Sequence, residues 1–350
     1  MMPSGGRRVD LSALRTWVSR CARVPLGHWP TPLVPLPATS RRLGIDLWMK
    51  RDECSGLAAG GNKARKLEFV LGEALRQGKR VVVTAGPVTS NHTMMTTAAC
   101  RRLGLETHIV LGGTRPARSS GNLLLTEDLG ATVHVTAMDV ANPSVSDVTA
   151  AVDLAASLVR THDAFFVPPG ATMPESMPGY ASAVDEIVTQ CDGTWPFDVV
   201  LTAHGTGSTA AGLWMGLALS DVACRVAAVA VSRRDALDRF GTPHPRVLGE
   251  RAWTFFELPA TPSSATVCDW VLGYGEAGYA VPSAEADAAL RRLARDDGYL
   301  LDPVYTARAF AGLEGEVARG AIPAGARVLF LHTGGLTTTP LGDTRKDPTT

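Results

Sequence analysis

Short, continuously apolar runs alternate with stretches of helical periodicity along this chain, and that alternation limits what it can fold into. VVVT (81–84) precedes SNHTMMTTAACRRLG, and THIVL (107–111) precedes SGNLLLTEDLG. VHV (133–135) and AFFV (164–167) bracket SVSDVTAAVDLAASLVR, and DVVLTA (198–203) precedes GSTAAGLWMGLAL. RVAAVAV (225–231) and RVLFL (327–331) follow. A strand that is apolar at consecutive positions must be covered on both faces, and the intervening helices supply the cover. The pattern predicts an α/β fold with mainly parallel sheets. No internal repeat and no low-complexity linker interrupts it, and 350 residues suit one enzyme subunit with one large or two smaller cores.

Composition removes several classes of function. Formal net charge is zero, so bulk electrostatics give no reason to bind nucleic acid or an anionic membrane. The longest apolar runs fall short of the roughly 20 residues a spanning helix needs. The opening MMPSGGRRVDLSALRTW lacks the apolar centre of a signal peptide, so a cytoplasmic protein is expected. The cysteines at 21, 54, 100, 191, 224 and 268 are scattered and read as reduced thiols. The histidines show no H-E-x-x-H or similar spacing, so no metal site is expected. The proline-rich entry (Pro25, Pro30, Pro32, Pro35, Pro37) reads as an extended arm, and the tail after Pro340 as frayed.

Lysine use is sharper. Of 34 basic residues, only Lys50, Lys63, Lys66, Lys79 and Lys346 are lysines, so arginine supplies generic surface charge. Lysine then draws attention where arginine cannot substitute, as in Schiff-base chemistry, which needs a deprotonatable amine. The segment 64–78 reads as an amphipathic helix with Leu67, Val70, Leu71, Ala74 and Leu75 on one face and Gly78 at its end. Lys63 stands at its entrance, after Gly60-Gly61; taken locally, this is equally an ordinary turn before a helix. Gly205-Thr206-Gly207-Ser208-Thr209 lies between a buried strand and a helix, as a phosphate cradle or as a plain turn. Ser90-Asn91-His92 opens a helix, with Ser90 as N-cap or with the group holding a carboxylate. Asp302-Pro303-Val304-Tyr305-Thr306 is a turn before a helix whose tyrosine suits the core or a site, and His332-Thr333-Gly334-Gly335 closes a late strand.

Taken together, KRDECSGLAAGGNKARKLE (50–68), TAGPVTSNH (84–92), GTGSTAAG (205–212), GYAVPS (278–283), LLDPVYTARAFAGL (300–313) and HTGG (332–335) resemble the 1-aminocyclopropane-1-carboxylate (ACC) deaminase and D-cysteine desulfhydrase family. These are tryptophan-synthase-β-like, fold type II enzymes dependent on pyridoxal 5′-phosphate. The resemblance implies two open twisted α/β domains with the cofactor in the cleft between them: a large one from 1–65 and 173–350, and a small one from 66–172. It implies a Schiff base on Lys63, phosphate contacts from Lys66, Gly205, Thr206, Gly207, Ser208 and Thr209, and Asn91 beside the cofactor hydroxyl. Ser90, Asn91 and His92 would hold the substrate carboxylate, Tyr279 and Tyr305 would sit by the substrate, and Thr306 would face the pyridine nitrogen. A homodimer or larger homo-oligomer is implied, with a small amino acid as the only other partner.

The residue after the DPVY tyrosine divides the family, with Glu in the deaminases and Thr in desulfhydrase-like members. Thr306 therefore favours β-elimination at a carbon–sulfur bond, giving thiol or sulfide, pyruvate and ammonia. The GTGST loop resembles the deaminases more. ACC deaminase and a non-catalytic binding protein with the same fold stand as alternatives, and the same chemistry admits β-replacement. Met94, Met95 and Met173 depart from the family pattern, as does Thr89, and the loop Pro168–Met173 lacks the family's asparagine. If these line the pocket, a larger, less polar cysteine derivative is the expected substrate.

Overall fold

The computed structural model describes Pro3 and residues 6–140, 143–239, 242–258 and 262–335. The tail after Pro340 lies outside the described residues. Every apolar run named above is a strand. The strands Val81–Pro87, Glu106–Gly112, Thr132–Thr136 and Phe165–Val167 form an all-parallel sheet, with Val81–Pro87 and Glu106–Gly112 at its centre. A six-stranded sheet runs in the order Thr266–Val271, Cys224–Ala230, Val199–His204, Arg327–His332, Asp46–Arg51, Leu33–Pro35. Its strands are parallel except the short Leu33–Pro35, which pairs antiparallel at the edge. We propose the division into a small unit at 66–172 and a large one around it on the strength of these two sheets.

Alternate residues of the larger sheet feed opposite cores, as the two-residue period of a strand requires. Trp48, Val200, Val226 and Leu329 pack one way, against Trp17, Tyr180 and Trp214 of the helices Ser12–Arg20, Met177–Gln190 and Ser208–Leu219. Leu47, Leu201, Ala227 and Phe330 pack the other way, against Leu293 and Phe310 of the helices Ala284–Asp297 and Thr306–Ala318. In the smaller sheet, Val82 and Val167 meet the helices Lys63–Arg76 and Asn91–Arg102, while Val83 and Val110 meet Val145–His162.

The helix expected over 64–78 spans Lys63–Arg76 and buries Leu67, Val70, Leu71 and Ala74. The proline-rich entry is more than an extended arm. It contributes the edge strand Leu33–Pro35, and Pro37 opens the helix Pro37–Leu43, where a missing N–H costs nothing. The interior strand Asp46–Arg51 has an apolar run of only three residues, Leu47–Met49, followed by Lys50 and Arg51, and was not picked out from the sequence. It tolerates a fully buried Lys50 because the ammonium donates to Thr31 O (2.7 Å) and Gln190 Oε1 (2.6 Å) and pairs with Glu186. Among the described residues no helix is long and apolar enough to cross a membrane.

Candidate active site

Both sheets end their parallel strands in loops that carry the motif residues, which is where parallel α/β sheets place ligands. The lysine loop is fixed first. Gly61 N donates to Asp52 O (3.0 Å), Asn62 N donates to Thr333 O (3.0 Å), and Gly61 forms a β-bridge with Gly334. Both glycines have positive φ, 130° and 89°, and a Cβ on Gly334 would lie 2.6 Å from Gly61 Cα. No other residue allows the two backbones to meet. Beneath the loop, Arg65 donates to both oxygens of Asp52 at 2.8 Å and to both oxygens of Glu186 at 2.9 Å. Burial opposes its charge, but the two carboxylates outweigh it and hold its pKa well above the ordinary value.

Lys63 is the first residue of its helix, and its Nζ donates to Asn62 Oδ1 (2.8 Å), 6.0 Å from the centre of the Tyr305 ring. Burial lowers its pKa to about 8, partly offset by the carboxylate of Asp302. One helical turn on, the buried Lys66 approaches Gly170 O at 3.4 Å. Burial, then repulsion from Lys63, drives its pKa well below that of a free lysine. Among the described residues Lys66 makes no ion pair with a carboxylate, so an anion placed there would restore its charge.

The loop Gly205–Thr209 supplies the rest of an anion cradle. Helix Ser208–Leu219 starts within it, and its first N–H groups have no acceptor inside the helix. Asn62 Nδ2 donates to Thr209 Oγ1 (3.0 Å), tying the lysine loop to this one. From the other side, Thr172 Oγ1 donates to Thr206 Oγ1 (2.6 Å) and lies 3.2 Å from Ser208 Oγ. Gly170, with φ of 70°, brings that segment so close that a Cβ would fall 2.2 Å from Thr206 Oγ1. Below the loop, His204 Nε2 accepts from Trp270 Nε1 (3.1 Å), so its proton sits on Nδ1, which is buried without a partner. Burial, then His244 and Lys66, lower the His204 pKa to about 3, keeping the ring neutral.

On the small-sheet side, Ser90 is the N-cap of its helix; its Oγ accepts from the N–H groups of His92 (3.1 Å) and Thr93 (3.3 Å). Asn91 Oδ1 accepts from Asn122 Nδ2 (2.8 Å). The His92 ring is buried, with Nε2 2.8 Å from Thr84 Oγ1; because that hydroxyl donates to Val167 O (2.6 Å), the imidazole donates to it. Burial, then the nearby Lys63 and Lys66, push the His92 pKa well down, so the ring is neutral and committed to this contact.

On the large-sheet side, the hydroxyls of Tyr279 and Tyr305 lie 2.6 Å apart. Burial raises both pKa values, that of Tyr279 to about 12. Their frame is Asp302, fully buried. Its carboxylate accepts from the N–H groups of Val304 (2.9 Å), Tyr305 (2.9 Å) and Thr306 (2.8 Å) and from Thr306 Oγ1 (2.7 Å). Thr306 Oγ1 in turn accepts from Asp302 N (2.8 Å), so its single proton is already given away. Arg308 donates to the carbonyls of Gly278 (2.9 Å) and Val281, bracketing Tyr279. His332 Nε2 donates to Leu300 O (2.7 Å) and its Nδ1 accepts from Gly334 N (3.2 Å), joining the lysine-loop bridge to the turn that carries Tyr305.

The structure thus links Lys63, the GTGST loop and the tyrosine pair through direct contacts. Asn62, Thr172, His204, Arg308 and Asp302 were not singled out from the sequence; of these only Asp302 has a local signal, an Asp-Pro turn start. Of the methionines considered for the pocket, Met95 backs the lysine loop, its Sδ 3.5 Å from where a Cβ on Gly61 would stand. Met94 and Met95 are 1% exposed and pack into the core with Leu67, Val70 and Phe165, and Met173 packs against the same cluster. A surface cavity of about 600 Å³ lies elsewhere, between Trp17 and Phe255, and holds none of these residues.

The fit to pyridoxal 5′-phosphate rests on three observations: a lysine amine that burial makes easier to deprotonate, a buried amine beside Gly170 with no carboxylate partner among the described residues, and a loop of free N–H and hydroxyl donors. The family described as "Pyridoxal-phosphate dependent enzyme" matches residues 24–334. A Pyrococcus horikoshii protein provisionally named 1-aminocyclopropane-1-carboxylate deaminase is 36% identical over 328 residues, covering 92% of this chain and 94% of its own. A D-cysteine desulfhydrase of Klebsiella pneumoniae is 35% identical over 323 residues, covering 91% and 95%. A solved structure described as an ACC deaminase homologue superposes with a TM-score of 0.79 at 34% identity, covering 94% of this chain and 96% of that one. The chain therefore belongs to the pyridoxal-phosphate-dependent enzymes, in the group that unites ACC deaminases with D-cysteine desulfhydrases, and its cofactor is pyridoxal 5′-phosphate.

Proposed function

We propose that the chain is a β-eliminating carbon–sulfur lyase acting on cysteine or a cysteine derivative, as a D-cysteine desulfhydrase does. The observation that carries this reading is Thr306. The resemblance sets a carboxylate at this position in deaminases; here stands a hydroxyl whose proton is bound to Asp302 Oδ1 at 2.7 Å. It brings no carboxylate of its own to stabilise a protonated ring nitrogen, which suits prompt departure of a leaving group over a long-lived carbanion.

When bound, the cofactor supplies the electron sink for Cα–H cleavage. The chain supplies the rest. Lys66, Thr206, Ser208, Thr209 and the loop N–H groups at Gly205 and Gly207 hold the phosphate. Asn91 stands by the ring hydroxyl, and Ser90, which still has its own proton to donate, holds the substrate carboxylate. Lys63 Nζ takes the proton from Cα, and its lowered pKa makes the free amine far more abundant near neutral pH than an ordinary lysine would offer. Of the two protons on Tyr279 and Tyr305, one is shared between them, leaving the other for the departing sulfur. Cysteine and water then yield sulfide, pyruvate and ammonia. A homodimer or larger homo-oligomer is proposed from the same resemblance.

ACC deaminase is the second reading, favoured by the GTGST loop and by the name of the Pyrococcus relative. One assay separates them: cofactor-loaded protein with D-cysteine, L-cysteine, an S-alkyl cysteine and ACC, and Lys63→Ala as control. Pyruvate with sulfide or thiol, lost in Lys63→Ala, is expected. 2-Oxobutyrate from ACC alone would overturn the lyase reading in favour of the deaminase, and turnover that survives in Lys63→Ala would remove Lys63 from the chemistry.

A further inference from the structure

We infer that the small sheet carries a site for a divalent transition-metal ion, ligated by Glu106, His108 and His162 and separate from the catalytic cleft. One ligand atom from each of these residues lies within 4.8 Å of the other two. They come from two elements that the fold presses together. Glu106 and His108 are two residues apart on the strand Glu106–Gly112 and so share a face; His162 is the last residue of the helix Val145–His162, which packs on that sheet. The rings of His108 and His162 lie 4.1 Å apart, centre to centre. Residue spacing could not reveal this set, because 54 positions separate His108 from His162.

The arrangement has the supporting contact that metal-ligating histidines generally show. His108 Nε2 faces Glu106 Oε1 at 2.9 Å, while its other nitrogen, Nδ1, faces His134 Nε2 at 3.2 Å. His134 lies on the neighbouring strand Thr132–Thr136, and its ring stacks on that of His108 with an interplanar angle of 16°. In the ion-free protein Nε2–H of His108 donates to the Glu106 carboxylate and Nδ1 accepts from His134; a cation takes the place of that proton on Nε2, and His108 then donates through Nδ1–H to His134, which orients the ring. His108 is buried and Glu106 largely exposed, with side-chain exposures of 7% and 59%, so the ion would enter from solvent and keep a water in its remaining position. Around a zinc ion the ligand atoms stand roughly 3.4 Å apart, given bonds of about 2.1 Å, so small side-chain rotations close the set. Two imidazoles and one carboxylate suit Zn²⁺, Co²⁺ or Ni²⁺ and disfavour Mg²⁺ and Ca²⁺, which take oxygen ligands.

Glu106 begins its strand, and Gly112, at the far end, pairs with Pro87 beside the Ser90 turn. Six residues of strand place the ion about 20 Å from the cleft. Its consequence is mechanical: it ties the end of the helix to the sheet beneath it.

The test uses chelator-treated, cofactor-loaded protein, titrated with ZnCl₂ by calorimetry and with CoCl₂ by visible absorption, with MgCl₂ as competitor. One ion per chain, tetrahedral Co²⁺ bands, no competition from Mg²⁺ and a higher Tm with Zn²⁺ are expected. His162→Asn and Glu106→Gln, both accessible, should fold normally, turn over substrate at the wild-type rate and lose the Tm increment. His134→Asn should weaken Zn²⁺ binding by about tenfold to a hundredfold. Unchanged affinity in His162→Asn and Glu106→Gln, equal competition by Mg²⁺, or no binding at all would each overturn the site.

Discussion

At the scale of single residues, the proposed chemistry rests on one amine whose charge the fold makes expensive. The Lys63 pKa is about 8 in the folded chain against an ordinary 10.5. Capture of pyridoxal 5′-phosphate by cofactor-free protein needs the neutral amine, so its rate should rise with pH through about 8 and then level off; Lys63→Ala should develop no visible absorption. The same shift has a stability consequence with a definite sign. Between about pH 8 and 10.5 the unfolded chain holds the proton and the folded chain does not, so stability rises with pH across that window. The cost of the buried charge is present in full below pH 8, and Lys63→Met should flatten this part of a urea-unfolding profile. Thr306 and Asp302 form the second residue-scale unit. Thr306→Val leaves the buried Asp302 N–H without its acceptor and should cost about 1–3 kcal/mol, largely recovered in Thr306→Ser. Lys63 was legible because its motif is local and lysine is rare in this chain. Asp302 was legible only as the start of a turn, because its importance lies in four donors gathered around one carboxylate, which no spacing announces.

At the scale of elements, the apolar runs were legible because strands buried on both faces need continuous apolar sequence. Asp46–Arg51 broke that rule: its buried Lys50 is balanced by Glu186, about 140 residues away, and a partner so distant leaves no trace in the strand itself. Thr266–Val271 was missed for a different reason. It is an edge strand with Val267 half exposed, so its pattern alternates. The helix that presents Lys63 depends on the same buried charges. Arg65→Met would leave the buried Asp52 without its ion-pair partner and Glu186 with Lys50 alone, and should cost about 3–5 kcal/mol in denaturant unfolding. The Pro168–Met173 segment is held by contact with the phosphate loop. Gly170→Ala forces a methyl to within 2.2 Å of Thr206 Oγ1 and should weaken cofactor affinity at least about tenfold, seen as a higher cofactor concentration for half-maximal absorbance.

At the scale of the whole molecule, the proposed cofactor site draws on both sheets. The phosphate cradle hangs from the strand Val199–His204, while Asn91 and Ser90 belong to the helix that follows Val81–Pro87. A ligand that touches both stabilises both, by about 2.7 kcal/mol when its concentration is a hundred times its Kd. Cofactor-loaded protein should therefore melt several degrees above cofactor-free protein, and Lys66→Met should lose most of that increment in a thermal scan. The bridge between Gly61 and Gly334 sets an order on how such a molecule can be made. The strand that ends at His332 sits between Asp46–Arg51 and Val199–His204, and the lysine loop leans on the residues just beyond it. A chain still emerging from the ribosome holds the reactive lysine long before it holds the strand that shapes its loop. Catalytic competence is therefore expected to wait for that strand, and a product cut short before it would possess every residue named for the chemistry without the bridge that shapes the lysine loop.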